Sequence, residues 1–302
     1  MVANADDSAA GAALHTTATD SVGALAELRR VAAVSQRKIT SENFPVALRV
    51  LPRSPREQLV RVYAFARFVD DVGDTARGDR LALLDAIDAD IDALPTGTAG
   101  LDPVRDLAPV LANRAATLRP LHDLVAANRR DQLVTSYETF DDLLDYCSLS
   151  AAPVGRLVLA IAGVDDPTAI TRSDQVCAAL QVLEHCQDVR EDANAGRVYL
   201  PAVDLRGAQV DPAELRADTT SPAVRRVVAQ QVARAAEMLV VGRPLVRGLH
   251  GWARVAVAGY VAGGHATVTA LTRADHDVLA AAVRPSRVTT ARHALLLWAA
   301  RR

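Results

Sequence analysis

The chain has 302 residues, half of them hydrophobic and only 4% aromatic, with a formal net charge of −2. That is enough material for a sizeable core in one large or two ordinary domains, and it excludes disorder over most of the length. Lys38 is the only lysine, arginine supplies every other basic side chain, and a balance so near neutrality gives no basic field for nucleic acid. Cys147, Cys177 and Cys186 are too few and too widely spaced for a disulfide framework or a zinc site, which points to a reducing compartment. No basic start leads into an apolar stretch, and no uninterrupted apolar run reaches the roughly 18 to 20 residues that span a bilayer, so a cytoplasmic protein is expected.

In chain order, residues 1–20 are rich in Ala, Ser, Thr, Asp and Gly, lack a core pattern and read as a disordered tail. From there the dominant signal is helical, with apolar residues recurring at three and four, as in Leu59, Val62, Tyr63, Ala66 and Val69. Prolines and glycines cut the chain into helix-sized pieces: Pro52, Pro55, Gly73, Gly78, Pro95 to Pro103, Pro153, Gly163 to Pro167, Gly196 to Pro201, Pro212, Pro222, Pro244 and Pro285. Alternation of period two is scarce, no repeat appears, and no linker is long enough to separate a pair of domains. The expectation is a single all-α domain over residues 21–302.

The first acidic cluster lies in Tyr63-Ala-Phe-Ala-Arg67-Phe-Val-Asp70-Asp71-Val-Gly-Asp74. Residues four apart share a helical face, so Asp70 and Asp74 stand side by side with Asp71 next to them. Arg67 is spaced to pair with Asp70 or Asp71, and a solvated charged face competes evenly with a functional one here. In the second cluster Gln181, Glu184, Asp188 and Asp192 fall within a stripe about 80° wide at 100° per residue. No Lys or Arg offsets that stripe within the helix, and the rest of the circumference is apolar. Aligned carboxylates in a mostly buried setting need a positive partner, and hard divalent cations supply one. Mg2+ takes one or two carboxylates together with phosphate oxygens and water. Two such helices facing each other would hold a diphosphate through several ions, and a dry cavity behind them would shelter the carbocation left by its departure.

Asp141-Asp142-Leu-Leu-Asp145 fits a similar acidic pattern, but it lacks the basic and aromatic lead-in. Asp141 and Asp142 read as ordinary exposed helix residues. The informative stretch is the one that follows, Tyr146 to Gly155, whose small residues suit close helix approach or a cavity wall.

Together these motifs resemble the squalene and phytoene synthases, which join two prenyl diphosphates head to head. The resemblance covers roughly Ser41 to Val288. It rests on Ser41-Glu-Asn-Phe44, on Tyr63-x-x-x-Arg67-x-x-Asp70-Asp71-x-x-Asp74, on Tyr146-Cys147 with Gly155, and on Gln181 through Asp188 and Asp192 to Gly196-Arg197-x-Tyr199-Leu-Pro201.

The resemblance implies an isoprenoid-synthase helical bundle around a central apolar cavity. Asp70, Asp71, Asp74, Glu184, Asp188 and Asp192 would hold Mg2+ and diphosphate, and Arg67 would bind phosphate oxygens. Ser41 and Phe44 would belong to a loop closing over the diphosphate. Tyr63, Tyr146, Gly155, Gln181 and Tyr260 would line the cavity, with Arg197 and Tyr199 near the diphosphate and Arg287 and Arg292 as further phosphate contacts. Glu184 replaces an Asn common in relatives, which alters the metal geometry without removing the site. His185 is expected to pack beside the site as a neutral side chain rather than act as ligand or base.

Ser-Glu-Asn-Phe-Pro-Val, Leu-Pro-Arg and Tyr-Ala-Phe-Ala-Arg are most similar to the bacterial hopanoid-pathway branch. That branch converts presqualene diphosphate to hydroxysqualene, and a separate downstream oxidoreductase follows; no NADPH is expected. The C-terminal apolar stretch from Leu295 to Trp298 is too short for the membrane anchor of eukaryotic squalene synthases. A lipid product must leave the protein, so peripheral contact with the inner face of a membrane fits the same reading, although no amphipathic anchor stands out. Condensation of two farnesyl diphosphates to presqualene diphosphate or squalene, and of two geranylgeranyl diphosphates to phytoene, stay open. So does a helical scaffold or assembly factor of the same fold, although such a protein usually loses its metal carboxylates.

Overall fold

A computed structural model describes residues 23–38, 51–112 and 117–299, with side chains as far as Leu297. The expected tail, Ser41 and Phe44 lie outside the described residues.

The breakers act as helix starts, because proline in the first turn costs no hydrogen bond and its fixed φ suits a helix. α1 covers residues 23–38. There follow α2 (Arg53–Thr75), α3 (Arg80–Asp92), α4 (Arg119–Leu133), α5 (Phe140–Ser150), α6 (Ala152–Ile161), α7 (Pro167–Gln187), α8 (Val189–Asn194) and α9 (Ala202–Gly207). The last four are α10 (Pro222–Met238), α11 (Gly242–Gly248), α12 (Gly251–Arg273) and α13 (Arg287–Ala299), with shorter turns between. α6, α7 and α10 each begin with a proline at the first or second position, and Pro52 precedes α2. Side-chain caps complete these starts: Asp79, Asp166 and Ser221 accept from the third backbone amide of α3, α7 and α10.

Asp142 proves to be part of a capping box, its carboxylate taking the Thr139 amide and hydroxyl, each at 2.8 Å, at the start of α5. The Asp141–Asp145 pattern therefore serves to start a helix.

α7 runs through the middle of the bundle, packed by α6, α10, α11 and α12, while α4 is embraced by α2, α3, α5 and α6. Phe65, Phe68, Leu84, Ile87, Leu121, Leu143, Leu157 and Leu183, among the largest fully buried side chains, come from α2 to α7. Burying a side chain of that size fully contributes about 1.5–3 kcal/mol each, which is what holds long apolar faces together here.

Two stretches, Phe140–Ile161 and Gly251–Arg273, are long and apolar enough to cross a membrane by length and composition, with mean hydropathy 1.3 and 1.2. This corrects the expectation that no segment would qualify. The first is broken at Ala151 between α5 and α6, and both carry residues of the central cavity wall, which accounts for their composition.

No strand occurs among the described residues, but one isolated parallel bridge joins Ser136 to Val198. Val198 donates its amide to the Thr135 carbonyl at 2.8 Å, Ala202 to Tyr137 at 2.9 Å and Val203 to Glu138 at 3.0 Å. The α4–α5 connector is thereby tied to the chain leaving the second acidic motif.

α2 and α4 approach closely at Gly73. A Cβ there would collide with the Asn128 side chain, and the Gly73 carbonyl accepts from Gln132 Nε2 at 3.0 Å. Gly73→Ala should displace the Asn128 side chain and with it the hydrogen bond to Asp70, costing about 1–3 kcal/mol. A thermal melt of the variant should show a midpoint several degrees lower.

Candidate active site

Asp70 of α2 and Glu184 of α7 line the same cavity, about 320 Å³, whose other walls are mainly apolar. Leu59 and Ser173 belong to the wall eleven residues before each carboxylate, so the cavity reaches about 16 Å inward at 1.5 Å per residue. Tyr63, Gln181, Gly155 and Tyr260 belong to this wall, whereas Tyr146, expected on it, does not. At Gly155 an added Cβ would lie 2.5 Å from both Cys177 Sγ and Ser173 Oγ, so glycine is what leaves those side chains their place.

Both mouth carboxylates are reached by solvent through the cavity yet walled by protein. Crowding by protein pushes Asp70 up to about 6, against a 3.0 Å hydrogen bond from Asn128 Nδ2 that favours its ionised form. Burial also raises Glu184, with Asp188 and Asp192 adding like-charge repulsion. Burial is the main cause for Asp188 as well, followed by Asp192 and Glu191.

Asp188 is not inside a continuous helix as the stripe assumed. α7 ends at Gln187, Asp188 takes φ −105° and ψ 17°, and α8 follows. The α-helical bonds from Asp188 to the Glu184 carbonyl and from Asp192 to the Asp188 carbonyl persist at 3.0 and 2.9 Å. α8 is drawn onto the 212–218 segment by Arg190, which donates to the Ala217 carbonyl at 2.6 Å, and by Arg216, which donates to the Ala193 carbonyl at 2.9 Å.

Asp71 departs from the expected ligand set. It is buried, accepts from Ser35 Oγ at 2.7 Å and Lys38 Nζ at 2.8 Å, and has Arg67 Nε 3.6 Å away. One residue along an α-helix is a 100° turn, so when Asp70 faces the cavity Asp71 faces α1 instead. Asp71, with Ser35 and Lys38, thus acts as a fastening between α1 and α2. Asp74, half exposed, pairs with Arg197 at 3.0 Å, an ion pair that joins the first motif to the second.

Behind the mouth lies an aromatic group that the motifs only half reveal. Tyr146 donates to Asp131 Oδ2 at 2.6 Å and Tyr199 to Asp131 Oδ1 at 3.1 Å. Tyr137 stacks on Tyr199 with ring centroids 5.8 Å apart, and His185 stacks on Tyr199 at 3.8 Å. His185 is buried, as expected, with Gln181 Nε2 3.4 Å and Asp192 Oδ2 3.7 Å from its ring nitrogens. Burial holds the Tyr146 and Tyr199 hydroxyls above the ordinary phenol range and raises the Asp131 carboxyl. Asn128, Asp131 and Gln132 share one face of α4 at spacings of three and four, the one signal that could have found them.

A second opening beside the mouth is lined by Glu184, Asp188 and Arg284. Gln187 donates to the Val283 carbonyl and so pins this loop to α7. Arg284 is thus a basic residue brought beside the second motif, whereas Arg287 and Arg292 lie on α13 and do not line this opening.

Among the described residues, no three His, Cys, Asp or Glu side chains stand close enough to hold an ion unaided. The donor set nevertheless fits a hard cation: the carboxylates at the mouth are oxygen donors lifted by burial and mutual repulsion. Mg2+ ordinarily completes its shell with water and phosphate oxygens.

Two outcomes are expected. A carboxyl with a raised folded pKa lets the native chain bind protons more tightly than the unfolded one, so its contribution is lost as pH rises from 3.8 through about 6. Adding Mg2+ and inorganic diphosphate should therefore raise the melting temperature more at pH 8 than at pH 5. Asp71→Asn should cost about 2 kcal/mol, read from chemical denaturation, because it leaves Lys38 and Arg67 without their shared carboxylate.

A family model described as Squalene/phytoene synthase matches residues 38–292. The chain is 36% identical over 210 residues to the hydroxysqualene synthase of Rhodopseudomonas palustris, covering 68% of this chain and 70% of that one. The presqualene diphosphate synthase of the same organism is 32% identical over 198 residues, with 64% and 71% covered. Among solved structures, squalene synthase HpnC from Alicyclobacillus acidocaldarius superposes with TM-score 0.74 at 38% identity, over 83% of this chain and 96% of that one. A dehydrosqualene synthase in complex with ligand superposes with TM-score 0.77 at 21% identity, over 91% and 98%, which bears on the fold alone. With an all-α bundle, two acidic motifs at one cavity mouth and a match over most of its length, the chain belongs to the squalene/phytoene synthase family of isoprenoid-synthase enzymes.

Proposed function

We propose that this enzyme ionises presqualene diphosphate in a Mg2+-dependent reaction and delivers the resulting cation to water, giving hydroxysqualene for the squalene and hopanoid route. The observation that carries the reading is that Asp70 and Glu184, from the two acidic motifs, border one apolar cavity. Similarity to hydroxysqualene synthase favours this step over the condensations.

The diphosphate would sit at the mouth, where Asp70, Asp74, Glu184, Asp188 and Asp192 would hold Mg2+ and where Arg197 and Arg284 add positive charge. Bound Mg2+ would neutralise the charge that develops on the leaving diphosphate. The chain's own role is to orient and to exclude. Tyr63 and Gln181 border the head of the cavity, and the apolar wall beyond it, with Val62, Val158, Val176 and Leu180, keeps bulk water from the hydrocarbon. Asp131 fixes the directions of the Tyr146 and Tyr199 hydroxyls.

The test is incubation of the purified protein with presqualene, farnesyl or geranylgeranyl diphosphate, with and without NADPH, and identification of the lipid. Hydroxysqualene from presqualene diphosphate, without NADPH and abolished by EDTA, is expected. Phytoene from geranylgeranyl diphosphate, or squalene from farnesyl diphosphate, would replace this step by a condensation. No diphosphate release from any of the three would leave a helical scaffold. Asp70→Asn and Asp188→Asn should each lower kcat by roughly a hundredfold or more. Far-ultraviolet circular dichroism should stay unchanged in both, since the core is untouched.

A further inference from the structure

Most polar groups on the cavity wall have an evident occupation. Asp70 accepts from Asn128, and Gln181 lies against His185. Ser173 and the Cys177 thiol lie together beside Gly155. Ser150, the last residue of α5, is different. It belongs to the cavity wall, and its Oγ is buried with no hydrogen-bond partner.

A serine at the end of a helix ordinarily bonds back to the carbonyl one turn earlier. Ser150 does not, so its donor and both lone pairs are unused at the edge of an apolar hollow. Leaving a buried hydroxyl unmatched carries a cost on the scale of a lost hydrogen bond. In a cavity of this polarity a water molecule or a hydroxyl of the reacting molecule is what would offset that cost.

The position of Ser150 narrows the choice. It lies one helical turn after Tyr146, about 6 Å along the axis, and five residues before Gly155. Ser150 thus falls between the carboxylate mouth and the blind end, near where a cation would lie once its diphosphate has left.

We propose that Ser150 holds the water that captures the carbocation and so directs the enzyme to an alcohol instead of a hydrocarbon; this rests on the hydroxysqualene reading above. The carbon–oxygen bond of presqualene diphosphate breaks with its electron pair going to the diphosphate. Ser150 Oγ accepts a hydrogen bond from the water and leaves a water lone pair facing the cation. The water oxygen forms the new carbon–oxygen bond, and the surplus proton passes to an oxygen of the departed diphosphate. Presqualene diphosphate and water become hydroxysqualene and diphosphate, with no oxidant or reductant. Where the water is lost, the carbon next to the cation gives its proton to the diphosphate and its bonding pair becomes a double bond. Ser150 acts through the water, as a positioning residue.

The experiment compares wild type, Ser150→Ala, Ser150→Cys and Ser150→Thr on presqualene diphosphate with Mg2+ in 18O-labelled water. Its readout is the ratio of 18O-labelled alcohol to hydrocarbon products. The ratio should fall about fivefold in Ser150→Ala, the equivalent of one neutral hydrogen bond, and recover in Ser150→Thr. An unchanged ratio in Ser150→Ala overturns the proposal. If that variant fails to fold or to release diphosphate, Ser150→Cys, close in size and a far weaker partner, must still lower the ratio, and an unchanged ratio there overturns it equally. Wild type that releases diphosphate without any alcohol instead overturns the hydroxysqualene step, and the role of Ser150 falls with it.

Discussion

Like charges gathered at the mouth of an apolar cavity govern this structure. Asp70 arrives from one helix, Glu184 from another and Asp188 from the break just beyond it, and each is lifted by burial and by its neighbours. A protein tolerates such a set when its surroundings are fixed by other means, and most of the remaining polar architecture supplies that fixing. Asp71 is withdrawn to tie α1 to α2, Asp74 reaches Arg197 across the two motifs, and Asn128 supports Asp70 from α4. The carboxylates that face the cavity are held apart by those that do not.

The scaffold permits this through close approach more than through strong bonds. Gly73 lets α4 come near enough for Asn128 to reach Asp70, and Gly155 leaves room for Ser173 and Cys177 at the deep end. Between them α7 is packed by other helices, and its Gln181 and Glu184 border the cavity. The apolar wall and the charged entrance are thus two faces of the same helices. A diphosphate and its hydrocarbon chain would be divided between them.

The helical class, the prolines that start helices and the two motifs on either side of the cavity were legible in the sequence, because periodicity and first-turn proline are local signals. Three things were not. The pairing of Asp71 with Ser35 and Lys38 depends on α1, more than thirty residues away, and no spacing rule carries that. The break at Asp188 depends on Arg190 and Arg216 reaching across to backbone carbonyls. Asp131 was overlooked because α4 carries no motif of its own; its importance appears only when Tyr146 and Tyr199 converge on it. Local chemistry named the ingredients, and tertiary contacts decided which of them face the cavity.

The bridge between Ser136 and Val198 bears on how this protein can change over evolutionary time. Surface connectors usually absorb added or deleted residues with little harm. Here the stretch joining α4 to α5 is clamped to the segment that carries Arg197 and Tyr199. Lengthening it by a single residue would slide one tyrosine past the others and break their shared grip on Asp131. The connector is therefore expected to keep its length while its side chains drift, an unusual demand on a piece of chain that is neither helix nor sheet.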